Sequence, residues 1–307
     1  MFPNNLLSVA DFSRKQAEDL FDLADHFEKH PPMGLLDRDQ IVGTLFYEAS
    51  TRTRLSFEAA ALKMGGGVIS VPDANDSSAK KGETVADAVR VMSGYCDLIV
   101  VRHPIVGSAA EAARTSLVPI VNAGDGDREH PSQALLDLYT IRKERGEIEG
   151  AQVALVGDLR FGRTVHSLAL ALALWPGIKI YLVAPAILAT PTAVLEALQA
   201  AGVEYRQTEC LEEILPDIDV LYATRIQKER FKGEEEPLYE TVKDFLRITG
   251  QTLKAMKKDA LVMHPLPRVG EIALEVDDDP RAIYFRQAWN GVPLRQGIIA
   301  TMLNRTS

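Results

Sequence analysis

The chain has 307 residues, which at a rough 150 residues per domain predicts two domains. Lysine and arginine number 34 against 43 aspartates and glutamates, a net charge of −9 that argues against a broadly basic nucleic-acid-binding surface. The sequence shows no apolar run near the ~20 residues that cross a bilayer and no signal-peptide pattern, and Cys96 and Cys210 fit neither a disulfide framework nor a zinc site. We therefore expect a folded cytoplasmic protein that binds neither membranes nor nucleic acid.

In the first half of the chain, apolar runs of strand length alternate with segments of helical period. Ser13, followed three residues later by Gln16, forms a capping-box pattern that opens a helix. The pattern next predicts strands over 41–47, 67–71, 98–101 and 117–121, and helices over 51–64, 84–95 and 131–145. Pro131 suits the first turn of the last helix.

The same alternation restarts after Gly146. It predicts strands over 152–156, 179–183, 220–224 and 261–263, and helices over 164–174, 191–201 and 286–303. Repeated strand–helix units are typical of parallel sheets covered by helices, so the fold class is α/β. The domain boundary is predicted in or near the helix that begins at Pro131.

The segment Ser50-Thr51-Arg52-Thr53-Arg54 follows a predicted strand and opens a predicted helix. The first turn of a helix has free backbone N–H groups and a partial positive charge, both of which suit phosphate. Hydroxyl groups add donors, and the guanidinium of Arg52 can grip two phosphate oxygens. The pattern favours an anion site over a simple helix cap followed by solvated arginines.

The segment 157–164 has the outline of a nucleotide-binding P-loop, since Gly157 and Gly162 flank four residues after a strand. Arg163, however, stands where a P-loop requires lysine. We therefore interpret the segment as a tight strand-to-helix turn that directs Arg163 towards a cleft.

Three further polar groups follow predicted strands or open helices, where α/β folds bind ligands. They are His130-Pro131-Ser132-Gln133, Thr224-Arg225-Ile226-Gln227 and His264-Pro265-Leu266-Pro267-Arg268. Either histidine could equally be a structural residue with satisfied hydrogen bonds. The small, polar segment 77–83 reads as a mobile loop, and its two lysines alone would indicate only a solvated surface.

Together these segments resemble the aspartate and ornithine carbamoyltransferase family over nearly the whole chain. The similarity runs in order through residues 46–58, Lys80-Lys81-Gly82-Glu83-Thr84, Arg102-His103-Pro104, residues 130–137, residues 162–168 and residues 264–268. Ornithine-type members have cysteine where this chain has Pro265, and a Ser-Met-Gly motif where it has Arg225-Ile226-Gln227. Arg163 and Arg225 suit a dicarboxylate, so the resemblance is to the aspartate branch.

The resemblance implies two doubly wound domains, each a mostly parallel sheet flanked by helices, with the active site in the cleft between them. Residues 1–133 with 288–307 would bind carbamoyl phosphate, and residues 134–287 would bind aspartate. The implied reaction gives N-carbamoyl-L-aspartate and phosphate, the first committed step of pyrimidine synthesis. It requires no metal and no organic cofactor.

Site residues follow from the resemblance position by position. The catalytic residues would be Arg52, Thr53, Lys81, Arg102, His130 and Gln133. Carbamoyl phosphate would contact these same residues together with Ser50, Thr51, Ser77, Pro265 and Leu266. Aspartate would contact Lys81, Arg163, Arg225, Gln227, Leu266 and Pro267.

Two further expectations concern assembly and closure. Ser77 and Lys81 would reach into a neighbouring subunit's site, which makes a homotrimer with shared sites the smallest active unit. Glu48 would bridge the two domains through Arg163 and Arg230 on closure. Three alternatives remain open: a different acceptor amine, a non-catalytic assembly chain, and the association of regulatory or dihydroorotase-type chains with the trimer.

Overall fold

In the computed structural model, which describes residues 3–73 and 78–304, the chain divides into two units. Unit 1 comprises Met1–Tyr139 and Trp289–Ser307, and unit 2 comprises Thr140–Ala288. The first division falls inside the helix that begins at Pro131. Each unit has its own parallel sheet, which confirms the α/β class expected from the strand–helix alternation.

Unit 1 contains a four-stranded parallel sheet in the order β2-β1-β3-β4. Its strands are β1 (Ile41–Phe46), β2 (Gly67–Val71), β3 (Leu98–His103) and β4 (Ile120–Asp125). Its helices are α1 (Arg14–Lys29), α2 (Thr51–Lys63), α3 (Val85–Met92), α4 (Ser108–Thr115), the start of α5 (Pro131–Arg145) and, near the C-terminus, α11 (Gly291–Met302).

Helix α1 begins as its sequence predicts. Ser13 and Gln16 form both hydrogen bonds of the capping box, which satisfies N–H groups that the first turn cannot bond internally. The apolar residues at helical spacing are all buried: Ala17, Leu20, Phe21, Ala24 and Phe27. The helix is thereby fixed at its start by polar bonds and along its length by apolar burial.

Unit 2 contains a five-stranded parallel sheet in the order β7-β6-β5-β8-β9. Its strands are β5 (Gln152–Val156), β6 (Lys179–Val183), β7 (Glu204–Thr208), β8 (Val220–Ala223) and β9 (Leu261–Met263). Its helices, beside the end of α5, are α6 (Arg163–Leu172), α7 (Thr192–Ala200), α8 (Tyr239–Val242), α9 (Gly250–Ala255) and α10 (Tyr284–Trp289), the last of which reaches the unit boundary.

Both sheets reverse their winding direction beside their first strand. In unit 1 the chain passes from β1 to β2 on one side and then to β3 on the other, and in unit 2 it passes from β5 to β6 and β7 and then to β8. The carboxyl ends of the two strands at such a reversal leave a crevice that binds ligands in doubly wound folds. The fold thus marks the segments after β1 and β3 and those after β5 and β8.

Several elements differ from the sequence prediction. The single helix expected over 286–303 is two helices, α10 and α11, because Pro293 has no N–H to bond back across the break at Asn290. The strand expected over 117–121 begins only at Ile120, after Pro119, for the same reason. Helices α4, α8 and α9 and strand β7 have no counterpart in the prediction.

Candidate active site

The first turn of α2 presents the predicted anion site. Ser50 is the extended residue before the helix, and its hydroxyl makes no capping hydrogen bond within the described chain. Thr51 and Arg52 are exposed, whereas Thr53 is only 5% exposed. The backbone N–H groups of this turn therefore have no side-chain cap, which is the arrangement that binds anions at helix N-termini.

A buried hydroxyl–imidazole chain lies behind this turn. Thr53 Oγ1 is 3.4 Å from Nε2 of His130, and the Ser132 hydroxyl is 3.3 Å from Nδ1 of the same ring. His130 is 2% exposed. It immediately precedes α5. The contacts join the start of α2 to the start of α5, so His130 is both structurally bonded and beside the anion site.

Arg102, near the end of β3, is held by an acid of the same unit. Its Nη2 donates to Oε1 of Glu48 at 2.7 Å, and its Nη1 donates to the carbonyl oxygen of Ala123 at 3.3 Å. Glu48 lies just after β1, so the pair spans the reversal point of the unit 1 sheet. In this structure the carboxylate therefore occupies donors that a bound phosphate could use.

Gln133 lies in the first turn of α5 and is 7% exposed. Its Nε2 donates to Oδ1 of Asp137, one helical turn later, at 2.8 Å. The sequence motif includes Asp137, but the resemblance assigns it no role.

In unit 2, the turn after β5 touches the end of β8. Gly157 has φ +115°, and a Cβ there would lie 2.2 Å from the carbonyl oxygen of Thr224. The next residue, Asp158, donates its N–H to the Thr224 hydroxyl at 3.1 Å. Only glycine fits this position, both for its backbone conformation and for the close approach. The 157–164 segment thus joins the two strands at the reversal point.

Asp158 holds Gln227 in place. Its carboxylate accepts hydrogen bonds from the backbone N–H and from Nε2 of Gln227, at 3.2 and 3.3 Å. Burial raises the pKa of Asp158, and these bonds, with one from the N–H of Phe161, partly offset that rise. Because Nε2 points to Asp158, the amide oxygen of Gln227 faces elsewhere.

The two predicted carboxylate-binding arginines of unit 2 lie in different surroundings. Arg163 is the first residue of α6 and is 8% exposed. Arg225 follows β8 and makes a two-pronged ion pair with Glu229, with Nη1 donating to Oε2 at 3.0 Å. This bond raises the pKa of Arg225 and lowers that of Glu229, so both remain charged near neutral pH.

The segment after β9 is fixed by His264. The N–H of Leu266 donates to its Nδ1 at 2.7 Å, so the ring proton is on Nε2, which lies 2.7 Å from Oε1 of Glu271. Burial raises the pKa of Glu271, but the bonds from His264 and from backbone N–H groups lower it by more. The net result is a pKa of about 2. Leu266 is held at φ +56°, a conformation that leucine rarely adopts.

Two family profiles match this chain and together cover most of its length. Residues 4–143 match the profile described as "Aspartate/ornithine carbamoyltransferase, carbamoyl-P binding domain", and residues 149–302 match "Aspartate/ornithine carbamoyltransferase, Asp/Orn binding domain". The chain belongs to the aspartate/ornithine carbamoyltransferase family. This membership confirms the resemblance found in the sequence motifs.

Relatives within this family are similar over their full length. Aspartate carbamoyltransferase catalytic subunits from Chromobacterium violaceum and Archaeoglobus fulgidus are 45% and 48% identical, with 100% and 97% of this chain and 100% and 99% of theirs aligned. A Trypanosoma cruzi aspartate transcarbamoylase, solved with carbamoyl phosphate and aspartate, superposes with a TM-score of 0.91 at 39% identity, covering 97% of this chain and 96% of that one. The catalytic subunit from M. jannaschii gives 0.89 at 45%, covering 98% of each chain.

The family's expected site residues fall into two groups. Unit 1 carries those at the end of β3 and those after β1 and β4: Glu48, Ser50, Thr51, Arg52, Thr53, Arg102, His130 and Gln133. Unit 2 contributes those after β5, β8 and β9: Arg163, Arg225, Gln227, Arg230, Pro265, Leu266 and Pro267. Lys81 is exposed at the end of a 3₁₀ turn, Ser78–Lys81, and Ser77 lies outside the described residues.

Sequence reasoning missed the acids that hold these side chains. Asp137, Glu229 and Glu271 each accept a hydrogen bond from a polar side chain beside the predicted site. Only a spacing of four residues, as between Arg225 and Glu229 or Gln133 and Asp137, could have indicated two of them. Within the described ranges, no helix is long and apolar enough to span a membrane, and no cluster of acids, histidines and cysteines could hold a metal ion.

Proposed function

We propose that this chain transfers the carbamoyl group of carbamoyl phosphate to the amine of L-aspartate. The products are N-carbamoyl-L-aspartate and phosphate, and the step opens pyrimidine synthesis in the cytoplasm. One observation carries the proposal: in a member of this family, Arg225 and Gln227 stand after β8, at the reversal point of unit 2. Cationic and amide donors there suit the carboxylates of aspartate and would repel the side-chain ammonium of ornithine.

In this proposal residues 1–133 and 288–307, nearly all of which belong to unit 1, supply the carbamoyl phosphate half. Phosphate binds to the hydroxyls and N–H groups of Ser50, Thr51 and Thr53 and to the guanidinium of Arg52. The uncapped first turn of α2 supports this assignment. Arg102 bridges the phosphate and the carbamoyl oxygen.

The carbamoyl group binds in a fixed orientation. Its oxygen gains negative charge as the amine attacks, and Thr53, Arg102 and His130 stabilise it as donors. Its NH2 group donates to the amide oxygen of Gln133 and to the carbonyl oxygens of Pro265 and Leu266.

Residues 134–287, most of which belong to unit 2, supply the aspartate half in this proposal. Arg163, Arg225 and Gln227 bind the two carboxylates, aided by Lys81, Leu266 and Pro267, and so aim a neutral amine at the carbamoyl carbon. The new C–N bond forms as the bond from carbon to the phosphate oxygen breaks. The departing phosphate takes the amine proton, so no side chain is required as a general base.

Closure of the site involves Glu48 and Arg230. Carbamoyl phosphate takes the donors of Arg102 that Glu48 occupies in this structure. The released carboxylate then pairs with Arg163 and Arg230. Unchanged aspartate affinity and turnover in Glu48→Ala would contradict this role.

The active unit in this proposal is a homotrimer in which Ser77 and Lys81 complete a neighbour's site. The exposure of Lys81 is compatible with that role. Lys81→Ala and Arg52→Ala chains should each be inactive, and mixing them should restore activity at the interfaces that retain both residues. Mixed trimers without activity would show that sites are not shared.

A colorimetric assay for carbamoyl-aspartate tests the activity itself. The purified chain with carbamoyl phosphate should carbamoylate L-aspartate and leave L-ornithine unchanged. Carbamoylation of another amine alone, or of none, would favour the alternatives of a different transcarbamoylase or a non-catalytic assembly chain.

A further inference from the structure

The orientation of the Gln133 amide is set by a buried acid. Nε2 of Gln133 donates to Oδ1 of Asp137 at 2.8 Å, and Asp137 is fully buried on the same helix, α5. An ionised carboxylate can only accept hydrogen bonds, so the amide must turn its NH2 group towards it. The amide oxygen, an acceptor, is then the atom left for any other partner.

A buried arginine interacts electrostatically with Asp137. Arg295, on α11, is 2% exposed, and its guanidinium lies over the ring of Phe57, 5.1 Å from the centroid. Burial lowers the pKa of Arg295 to about 10, and the charge of Asp137 opposes that fall, so the guanidinium is a cation at neutral pH. The two opposite charges thus stabilise one another inside unit 1.

The packing around Arg295 directs it towards α5. A Cβ on Gly291 would lie 2.2 Å from Nη1 of Arg295 and 3.6 Å from a methyl group of Leu136, the residue before Asp137. Glycine at this position therefore lets the guanidinium lie against the backbone of α11, facing the helix that carries Asp137.

Burying these two charged side chains in the core costs desolvation free energy. Nε of Arg295 has no hydrogen-bond partner among the described residues. Burying an ion pair generally stabilises a fold no better than apolar residues of the same size do. The charge on Asp137 is thus better explained by what it does to Gln133 than by stability.

We propose that buried Asp137, which accepts the hydrogen bond of Gln133 Nε2, is a positioning residue that presents only the oxygen of the Gln133 amide to the substrate. The carbamoyl group has a donor end, NH2, and an acceptor end, oxygen. An amide fixed in this way accepts from the NH2 group, whereas a flipped amide would set two donors against each other. Asp137 thereby selects carbamoyl phosphate over acyl phosphates with a methyl group in that place. The inference rests on the proposed function, which assigns the carbamoyl NH2 to Gln133.

Asp137→Asn tests this selection with little change in volume. The cation of Arg295 favours the oxygen end of the new amide, which turns its NH2 group to Gln133 and flips the Gln133 amide. The preference for carbamoyl phosphate over acetyl phosphate, measured as the ratio of their dissociation constants and of kcat/KM, should fall about tenfold or more. Affinity for inorganic phosphate should be unchanged, because the α2 turn is untouched.

Gln133→Met is the matched variant, since it removes the amide at similar length. It should lose the same preference, and adding Asp137→Asn to it should lower the ratio no further. A merely structural role for Asp137 would instead give additive losses and weaker phosphate binding.

The double variant Asp137→Asn with Arg295→Met removes both buried charges and guards against unfolding of the single variant. It should also lower the ratio, though by less, because nothing then orients the new amide. A wild-type ratio in folded Asp137→Asn and in the double variant would overturn the inference while leaving the proposed function intact. A wild-type chain that makes no carbamoyl-aspartate, yet still prefers carbamoyl phosphate in binding, would overturn the function and not the positioning.

Discussion

The two units hold their expected ligand-binding residues in different ways. In unit 1, the expected phosphate ligands include the uncapped first turn of α2, hydroxyl groups and two arginines, Arg52 and Arg102. Of these arginines, Arg102 is held by Glu48. In unit 2, the expected aspartate ligands Arg225 and Gln227 are each held by an acid, Glu229 or Asp158. Backbone groups are fixed by the helix itself, whereas long side chains need partners to fix them.

This difference has consequences for binding. The backbone N–H groups and hydroxyls at the start of α2 should tolerate the loss of nearby acids, because the helix itself holds them. The unit 2 half should weaken whenever a supporting acid is neutralised, because the arginine or amide it holds becomes free to adopt other rotamers. Two side chains of unit 1 do depend on acids: Arg102 is held by Glu48, and the amide of Gln133 is held by Asp137.

Loss of Arg102 should have the largest effect. Arg102→Met removes a donor from both the phosphate and the carbamoyl oxygen, and we expect kcat to fall about 10²–10³-fold. Steady-state kinetics with both substrates would measure it. Arg90→Met, which removes an exposed arginine from α3, is the control and should leave kcat unchanged. Near-normal turnover in Arg102→Met would remove unit 1 from the chemistry.

Gly157→Ala should damage unit 2 in particular. Gly157 has φ +115°, and the Cβ of alanine would lie 2.2 Å from the carbonyl oxygen of Thr224. The substitution would therefore force the ends of β5 and β8 apart. We expect a loss of stability of more than about 2 kcal/mol, measured by urea unfolding, and weaker aspartate binding. Gly146→Ala is the matched control, since Gly146 has φ +95° with nothing within 4 Å. Equal effects from both variants would show that backbone strain alone, and not the close approach, matters.

Glu229→Gln should raise KM for aspartate about tenfold, because Arg225 loses its charged partner, and should leave KM for carbamoyl phosphate unchanged. Glu213→Gln breaks a comparable surface pair with Arg206 and should change neither constant. A rise in KM for carbamoyl phosphate instead would contradict the division of labour between the two units.

The smallest effect should appear in the pH dependence of stability. The folded-state pKa of Glu271, about 2, lies below its ordinary value near 4.5. Its stabilisation is therefore present above about pH 4.5 and is lost as the pH falls towards 2. Thermal unfolding of wild type and Glu271→Gln should differ most near pH 6 and converge near pH 2. A constant difference across that range would mean that the carboxylate charge contributes nothing.

Much of the fold was predictable because buried parallel strands are continuous apolar runs. The strands β2, β5, β6 and β9 have the bounds that the sequence predicts. The strand β7 was missed because it is an edge strand with mostly exposed, polar residues. The break between α10 and α11 was missed because apolar periodicity continues through Pro293.

The candidate site was predictable in its residue types but not in its supports. Short motifs identify Arg52 and Gln133, because the residues of each motif lie side by side in the sequence and each motif follows a strand. Arg295 is 158 residues from Asp137 in the numbering of the chain, and only tertiary packing brings its charge to bear on that residue. Sequence patterns report local geometry, whereas charge balance inside a core is set by contacts between distant segments.

In the proposed function, the phosphate-binding residues of unit 1 and the aspartate-binding residues of unit 2 serve one transfer reaction. N-(phosphonacetyl)-L-aspartate carries a phosphonate and both aspartate carboxylates in one molecule. Calorimetric titration of wild type, Arg102→Met and Arg225→Gln with this compound, phosphate and succinate tests the claim most directly. Both variants should bind the joined compound more weakly than wild type does. Phosphate affinity should fall only in Arg102→Met, and succinate affinity only in Arg225→Gln. Unchanged affinity for the joined compound in either variant would contradict the account.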